Sequence, residues 1–369
     1  MTRVAIISDT LDDTNGVALG LRRLVAAAAR AGHRVHLVGA AGPKAAPGDT
    51  VVRIPAALSA SLPIYPDMTW SVPELPALVE HLARSADVVQ VSTPGPMGLA
   101  GLIAGRMLGL PVIAQYHTEV AEYAARMTGL PMVGAIVEPI VGWFYQQAEL
   151  CLAPSAAVVE RLASLGVPRD RIARVRRGVD LALFDPARRD RARFAQPTVL
   201  YVGRLSREKN LDGLLAAWAL VRRSHPDAQL AIVGEGPLAG TLGRAGVVEL
   251  GPAHGAELAV LFASADVFAF ASETETFGNV VVEAAASGLP AVVGIKGAAH
   301  EHVIHGETGL VAHGIEAFAS SIVRLLDDPL ARARMGTAAR LHAQSYDLAH
   351  AVRATMDLYR GIARTREAA

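Results

Sequence analysis

The densest chemical signal in the sequence is the run Ser272-Glu273-Thr274-Glu275-Thr276-Phe277-Gly278-Asn279-Val280-Val281-Val282-Glu283-Ala284. An apolar strand candidate, Asp266–Phe270, precedes it. A helical pattern continues through Ala286 and is stopped by Ser287-Gly288-Leu289-Pro290. Glu275 therefore falls in a strand-to-helix loop, and Glu283 about one turn inside the helix. Gly278 permits close backbone approach, and the helix start at Asn279 and Val280 offers N–H groups and a positive dipole end to an anion. A carboxylate on either side of that anion site can accept hydrogen bonds from sugar hydroxyls. The spacing alone is common on surface helices, so it is the setting of strand, Thr-Phe-Gly loop and helix that gives it chemical content.

A second signal follows the strand candidate Thr198–Val202. Gly203-Arg204 is followed five residues later by Lys209, at a helix start, so two cations can be aimed at one diphosphate. Lysine occurs only at positions 44, 209 and 296, which favours a specific role for Lys209 over a solvated pairing with Glu208.

In the first half, Asp9-Thr10 leads through Thr14-Asn15-Gly16-Val17 into a helix, and Gly16 at that helix start suits a phosphate or an acceptor hydroxyl. Gln115-Tyr116-His117-Thr118-Glu119 follows the strand candidate Val112–Gln115. A lone His in that place is more often structural, but the Tyr-His-Thr setting gives it a functional reading. Asp12-Asp13 and Asp327-Asp328 resemble metal ligands only superficially, because no Asp-x-Asp occurs, and His300-Glu301-His302 with His305 reads as a solvated turn or a donor contact. No metal site is expected. The Gly-rich phosphate loop of NTPases and the dinucleotide fingerprint are both missing. The single cysteine, Cys151, lies in an apolar strand and reads as core, which also excludes a disulfide framework. The apolar stretch Met127–Val137 with Trp143-Phe144-Tyr145 reads first as buried core, and otherwise as an acceptor groove or a membrane-facing surface.

These residues need a scaffold to bring them together. With 369 residues, 51% apolar and 19% charged, the chain is folded and long enough for two domains. Equal numbers of basic and acidic side chains, 35 of each, argue against nucleic acid as a partner. Short β-branched runs alternate with helical patterns, as in βαβ units. The fold class expected is α/β: two doubly wound, Rossmann-like parallel-sheet domains facing a central cleft. One spans residues 1–185 and the other 196–345, with a break around the Arg-rich segment Phe184 to Pro197 and a C-terminal helix, about 346–369, packing back on the first domain. Ligands of such sheets bind at the carboxyl ends of the strands. No signal peptide or membrane-spanning run is seen, so a cytoplasmic protein is expected.

Gly203-Arg204 with Lys209, Gly234-Glu235-Gly236-Pro237 after a strand, and Glu275 to Glu283 ending in Ala-Ser-Gly-Leu-Pro resemble glycosyltransferase family 4, retaining enzymes of GT-B fold that use nucleotide sugars. The resemblance implies that Arg204 and Lys209 hold the donor diphosphate and that Glu283 binds the ribose hydroxyls. It also implies that Glu275 and the backbone from Phe277 to Val280 hold the donor hexose, with His117 near the donor sugar and leaving phosphate. Arg177-Gly178-Val179-Asp180 resembles a family turn that usually carries Asn where this chain has Arg177, and a structural role is expected of it. Asn15-Gly16 resembles the subgroup of bacterial α-mannosyltransferases and sulfoquinovosyltransferases. The donor implied is GDP-mannose, with UDP-glucose or UDP-sulfoquinovose as the alternative, and base contacts are expected from backbone around Pro252–Gly255. The acceptor is a glycan, a glycolipid or a small molecule. No cofactor is required beyond the nucleotide-sugar co-substrate, and peripheral contact with the inner membrane face is a further expectation. The competing functions are a non-catalytic nucleotide-sugar-binding subunit and, by fold analogy alone, an epimerase or phosphorylase.

Overall fold

The β-branched runs form two parallel sheets whose central strands are buried on both faces. The computed structural model describes residues 2–11, 16–41, 51–62 and 65–367. These divide into two units, Met1–Arg176 with Ala349–Ala369, and Arg177–Leu348.

The first unit contains, in chain order, β1 (Arg3–Ile7), α1 (Gly16–Arg30), β2 (Arg34–Ala40), β3 (Val51–Ile54), β4 (Ala56–Leu62), β5 (Tyr65–Pro73), α2 (Leu75–Ser85), β6 (Val88–Val91), α3 (Pro96–Met107), β7 (Val112–Gln115), α4 (Val120–Thr128), α5 (Pro131–Gln146), β8 (Leu150–Ala153), α6 (Ala156–Ser164) and β9 (Ile172–Arg174). Its parallel sheet has the order β3-β2-β1-β6-β7-β8-β9, so the winding reverses between β1 and β6. The loops leaving those two strands are tied together by Asp9. Its carboxylate accepts from Thr93 Oγ1 at 2.5 Å and from the Met97 amide of α3 at 2.8 Å. Burial pushes this carboxyl up, while the Thr93 hydroxyl and the Met97 and Gly98 amides work against it.

The second unit contains β10 (Thr198–Val202), α7 (Leu211–Ser224), β11 (Gln229–Val233), β12 (Val247–Gly251), α8 (Gly255–Ser264), β13 (Val267–Phe270), α9 (Asn279–Ala286), β14 (Ala291–Gly294), β15 (Gly309–Ala312), α10 (Gly314–Asp327) and α11 (Pro329–Ala343). The order is β12-β11-β10-β13-β14-β15, all parallel, and the reversal falls between β10 and β13. The last helix, α12 (Leu348–Glu367), returns the chain to the first unit, where the Tyr359 hydroxyl donates to Gln90 Oε1. Gln90 in turn donates to Gln115 Oε1 at 2.9 Å, so a buried polar chain fixes the helix over β6 and β7.

The boundary at Arg176 and Arg177 lies upstream of the Arg-rich segment, for a local reason. Val179 and Phe184 are buried in the core of the second unit. From α11, the Arg340 guanidinium donates to Phe184 O and Ala286 O, both at 2.8 Å, to Leu181 O at 3.2 Å and to Asp185 Oδ2 at 2.7 Å. The hairpin β4–β5 and the short strands β9 and β15 were not expected from the sequence. Pro63 and Pro66 argue against a strand, and strands of three or four residues carry little periodicity.

The apolar stretch of α5 is only partly core. Phe144 and Tyr145 are buried, whereas Met132, Ile136, Ile140 and Trp143 are exposed and, at helical spacing, share one face. Among the described residues, no helix is long and apolar enough to cross a membrane.

Candidate active site

The loops at the carboxyl ends of β10 and β13, adjacent strands at the reversal of the second sheet, carry most of the residues singled out from sequence. After β10, the Gly203 amide donates to Val233 O at 3.0 Å and the Leu205 amide to Glu235 O at 2.8 Å. The Arg204 carbonyl accepts from the Tyr201 hydroxyl at 3.1 Å, which fixes the backbone at that arginine. Gly234 packs so tightly here that a Cβ on it would lie 1.9 Å from Gly203 O, and its φ of 147° is one that L side chains rarely adopt. A one-turn 3₁₀ helix, Arg207–Lys209, follows, and Asn210 takes a left-handed φ of 53° before α7 begins. Asn tolerates that conformation better than most residues, and its Nδ2 donates to Ala271 O at 3.2 Å, joining the two loops.

That junction brings Lys209 onto Glu275. Lys209 Nζ donates to Glu275 Oε1 at 2.6 Å, and Ser272 Oγ donates to the same oxygen at 3.0 Å. Glu208, the alternative partner for Lys209, instead accepts from the Ser206 hydroxyl. Burial would push the Glu275 carboxyl up. The Lys209 charge and hydrogen bond, the Ser272 hydroxyl and the Arg177 charge together outweigh that and hold it below the usual carboxylate range. The loop is also held by its backbone, where the Ala298 amide donates to Glu275 O at 2.8 Å.

Phe277 turns its ring into the core, and its carbonyl accepts from His302 Nε2 at 2.6 Å. Gly278 has a left-handed φ of 86° and opens α9 at Asn279. The first-turn N–H groups of Asn279 and Val280 thus lie at the carboxyl edge of the sheet, where they can meet an anion. Glu283 lies one turn further along α9 and is buried. Arg204 is half-buried on the neighbouring loop.

Gly16 and His117 belong to the first unit. Gly16 is the first residue of α1, and His117 is buried just beyond the carboxyl end of β7. Asp12, Asp13, Thr14 and Asn15 lie outside the described residues.

The weaker candidates have other work. His300 Nδ1 donates to Gly297 O at 2.8 Å, His302 joins Phe277 to Tyr346, and His305 Nδ1 accepts from the Val311 amide at 3.0 Å. Asp328 caps α11 through Ala331 N, at 2.8 Å. Cys151 is buried, its thiol pushed up to about 12 by burial, as suits a core residue. Among the described residues, no three His, Cys, Asp or Glu side chains converge as a metal-ligand set.

The arrangement sets a cation on a carboxylate beside a helix N-terminus at the switch point of a doubly wound sheet, a place suited to a sugar diphosphate. Comparisons agree. Glycosyltransferase Family 4 matches residues 14–183, and Glycosyl transferases group 1 matches residues 196–328. A GDP-mannose-dependent alpha-mannosyltransferase of Mycobacterium tuberculosis is 34% identical over 327 residues, 84% of this chain and 83% of that protein. The chain belongs to glycosyltransferase family 4. Another similar family 4 glycosyltransferase, the GDP-mannose-dependent alpha-mannosyltransferase of Mycolicibacterium smegmatis, is 33% identical over 357 residues, 92% of each protein. The sulfoquinovosyl transferase SQD2 of Arabidopsis thaliana is 32% identical over 317 residues, 80% of this chain and 61% of that one. Anabaena HepE, solved in complex with UDP and glucose, matches with a TM-score of 0.77 at 20% identity, covering 98% of this chain and 100% of that one. Sucrose-phosphate synthase of Thermosynechococcus elongatus matches equally well, with a TM-score of 0.77 at 23% identity and coverage of 98% and 99%. The fold of this family 4 glycosyltransferase is therefore GT-B, and its donor is a nucleotide sugar.

Reasoning from sequence missed Arg177 as a neighbour of the glycosyltransferase site. Its Cζ lies 5.9 Å from the centre of the Phe277 ring, and burial pushes its guanidinium down to about 10 while Glu275 works against that. The visible signal was the Arg in a turn where the family usually carries Asn. The pairing of His302 with Tyr346 was not read from sequence either, because it depends on a tertiary contact across 44 residues.

Proposed function

We propose that the protein transfers a hexose from a nucleoside diphosphate sugar, GDP-mannose first among them, to an acceptor hydroxyl with retention of anomeric configuration. The observation that carries this reading is the Lys209–Glu275 pair at 2.6 Å beside the start of α9, which supplies a phosphate-seeking cation and a sugar-seeking carboxylate at one point. Three GDP-mannose-dependent relatives at 34%, 33% and 31% identity support the choice of donor.

As the glycosidic bond to the leaving group breaks, negative charge gathers on the diphosphate. Arg204, Lys209 and the amides of Asn279 and Val280 offset it, so the charge stabilisation comes from the protein itself and a metal is not required for that role. Glu275 and the Phe277–Val280 backbone orient the hexose, and Glu283 takes the ribose hydroxyls. A leaving-group phosphate oxygen receives the acceptor proton as the new bond forms on the face the leaving group vacates. Gly16 and His117, at the carboxyl edge of the first sheet, are assigned to the same reaction.

The exposed apolar row Met132, Ile136, Ile140 and Trp143 favours an acceptor carried on a lipid, with the enzyme resting on the cytoplasmic membrane face. The test is calorimetric titration with GDP-mannose, UDP-glucose and UDP-sulfoquinovose, followed by NMR of the product's anomeric proton. Tightest binding of GDP-mannose and an α-linked product support the reading. Binding of a UDP sugar alone overturns the donor, and a β-linked product overturns retention. Binding without turnover on lipid, glycan and small-molecule acceptors favours a nucleotide-sugar-binding subunit.

A further inference from the structure

Lys209 faces two demands. Its ammonium sits on Glu275 Oε1, yet the proposed donor diphosphate draws the same ammonium toward itself. The Glu275 side chain is only 15% exposed, and a carboxylate so enclosed is costly to leave without a cation. A second cation lies close by. Arg177 lies over the Phe277 ring, two residues along the loop from Glu275.

Both pieces of chain are anchored to the same residue. The Val179 amide donates to Tyr346 O at 2.7 Å, and the Leu348 amide to Val179 O at 3.1 Å, which fixes the turn that bears Arg177. His302 Nε2 donates to Phe277 O at 2.6 Å, and its Nδ1 lies 3.0 Å from the Tyr346 hydroxyl. A carbonyl only accepts, so Nε2 carries the ring proton, and in the neutral imidazole Nδ1 accepts from Tyr346. Turn and loop are thereby held in register by Tyr346.

We propose that Arg177 is a positioning residue of the donor site, holding Glu275 as an oriented carboxylate while Lys209 serves the donor diphosphate. The proposal rests on the functional reading above for the identity of that anion. The charge of Arg177 joins Lys209 and Ser272 in opposing the effect of burial on Glu275. Burial, then the charges of Glu275 and Glu208, push the Tyr201 phenol well above its usual value, and its hydroxyl donates to Arg204 O at 3.1 Å, so it stays protonated and does not exchange a proton with Glu275.

The test follows the Glu275 side-chain carboxyl by ¹³C NMR, with assignment by Glu275→Gln, in the full chain and its Arg177→Gln and Arg177→Lys variants. Removing a nearby opposite charge moves a carboxyl midpoint by ~1–3 pH units. Arg177→Gln is expected to raise the midpoint by about one unit, and further when saturating GDP occupies Lys209, while Arg177→Lys restores it. Turnover of Arg177→Gln is expected to fall ~10–100-fold, as for a misplaced substrate contact, with GDP affinity changed less than about threefold. An unchanged midpoint overturns the proposal. An equal loss of GDP affinity also overturns it, by making Arg177 a phosphate ligand. Should the variant fail to fold, Arg177→Lys with a wild-type midpoint but reduced turnover still supports the pairing, and a midpoint as high as that of a Lys209→Met control overturns it. If the wild-type protein binds no nucleotide sugar yet the midpoint moves with Arg177, the functional reading falls and the Arg177–Glu275 pairing stands.

Discussion

Lys209 and Glu275 are 66 residues apart in sequence and 2.6 Å apart in space, joined across the two central strands of the second sheet. The contact exists because Asn210 bends left-handed, with a φ of 53°, and bonds Ala271 at the end of β13. The lysine is thus held at the strand edge by the protein's own contacts.

Replacing Lys209 by Met is expected to lower transfer about 10²–10³-fold, the usual consequence of losing one donor to a developing oxyanion. The same change strips Glu275 of its main cation. The folded-state carboxyl of Glu275 lies below its unfolded value, so its contribution to stability is present above about pH 4.5 and is lost as pH falls through the folded midpoint. Lys209→Met raises that midpoint, so acid unfolding begins at higher pH than in the wild type. Circular dichroism against pH checks this.

The two glutamates are expected to separate in function. Glu275→Ala removes transfer but leaves GDP affinity nearly intact. Glu283→Ala weakens GDP binding by about 10–100-fold, in line with ~1.5–3 kcal/mol for a hydrogen bond to a charged group. Calorimetric titration with GDP decides, and equal loss of affinity in both variants contradicts the division of roles.

Arg340 is expected to matter for stability more than for chemistry. Its guanidinium closes on the carbonyls of Phe184, Ala286 and Leu181 and on Asp185, holding both the start of the second unit and the end of α9. Arg340→Ala leaves those carbonyls and the carboxylate short of donors, at a cost of about 2–4 kcal/mol. Arg340→Lys recovers only part, because a point charge cannot serve the same fork of acceptors. Urea unfolding followed by tryptophan fluorescence reports on Trp218, which is buried in this unit.

A histidine pair in the first unit gives the protein a second acid sensitivity. His36 Nε2 and His81 Nε2 are 3.1 Å apart. Burial, then the neighbouring His81, pushes His36 down to about 4, and burial lowers His81. The unfolded chain takes up these protons first, so stability is complete above about pH 6.5 and declines as pH falls toward 4. His36→Leu is expected to flatten the melting temperature between pH 6.5 and 4, where the wild type slopes downward.

Much of this design was legible in the sequence because it is local. The run from Ser272 to Glu283 declares a strand, a loop and a helix in consecutive residues, and Gly203-Arg204 ends an apolar strand, so both loops could be assigned to a sheet edge. The strands Val112–Gln115 and Thr198–Val202 were read with the bounds they have in the structure. What stayed hidden depends on partners distant in sequence. Nothing near Arg177 points to Phe277, and His302 sits in a histidine cluster that reads as a solvated turn or a donor contact until Tyr346 and the Phe277 carbonyl appear beside it. The outward face of α5 was only the second reading from sequence, since an apolar helix reads the same whether its stripe is covered or bare.

The hydrogen bonds that stitch Val179 to Tyr346 and Leu348 have a topological consequence. They bring the entry and exit of the second unit side by side, so that unit is built as a closed cassette inserted between β9 and α12 of its host. A short linker across that seam would let the cassette be excised, or exchanged for one with another sugar preference, while the host sheet keeps its own helical clasp through Tyr359 and Gln90.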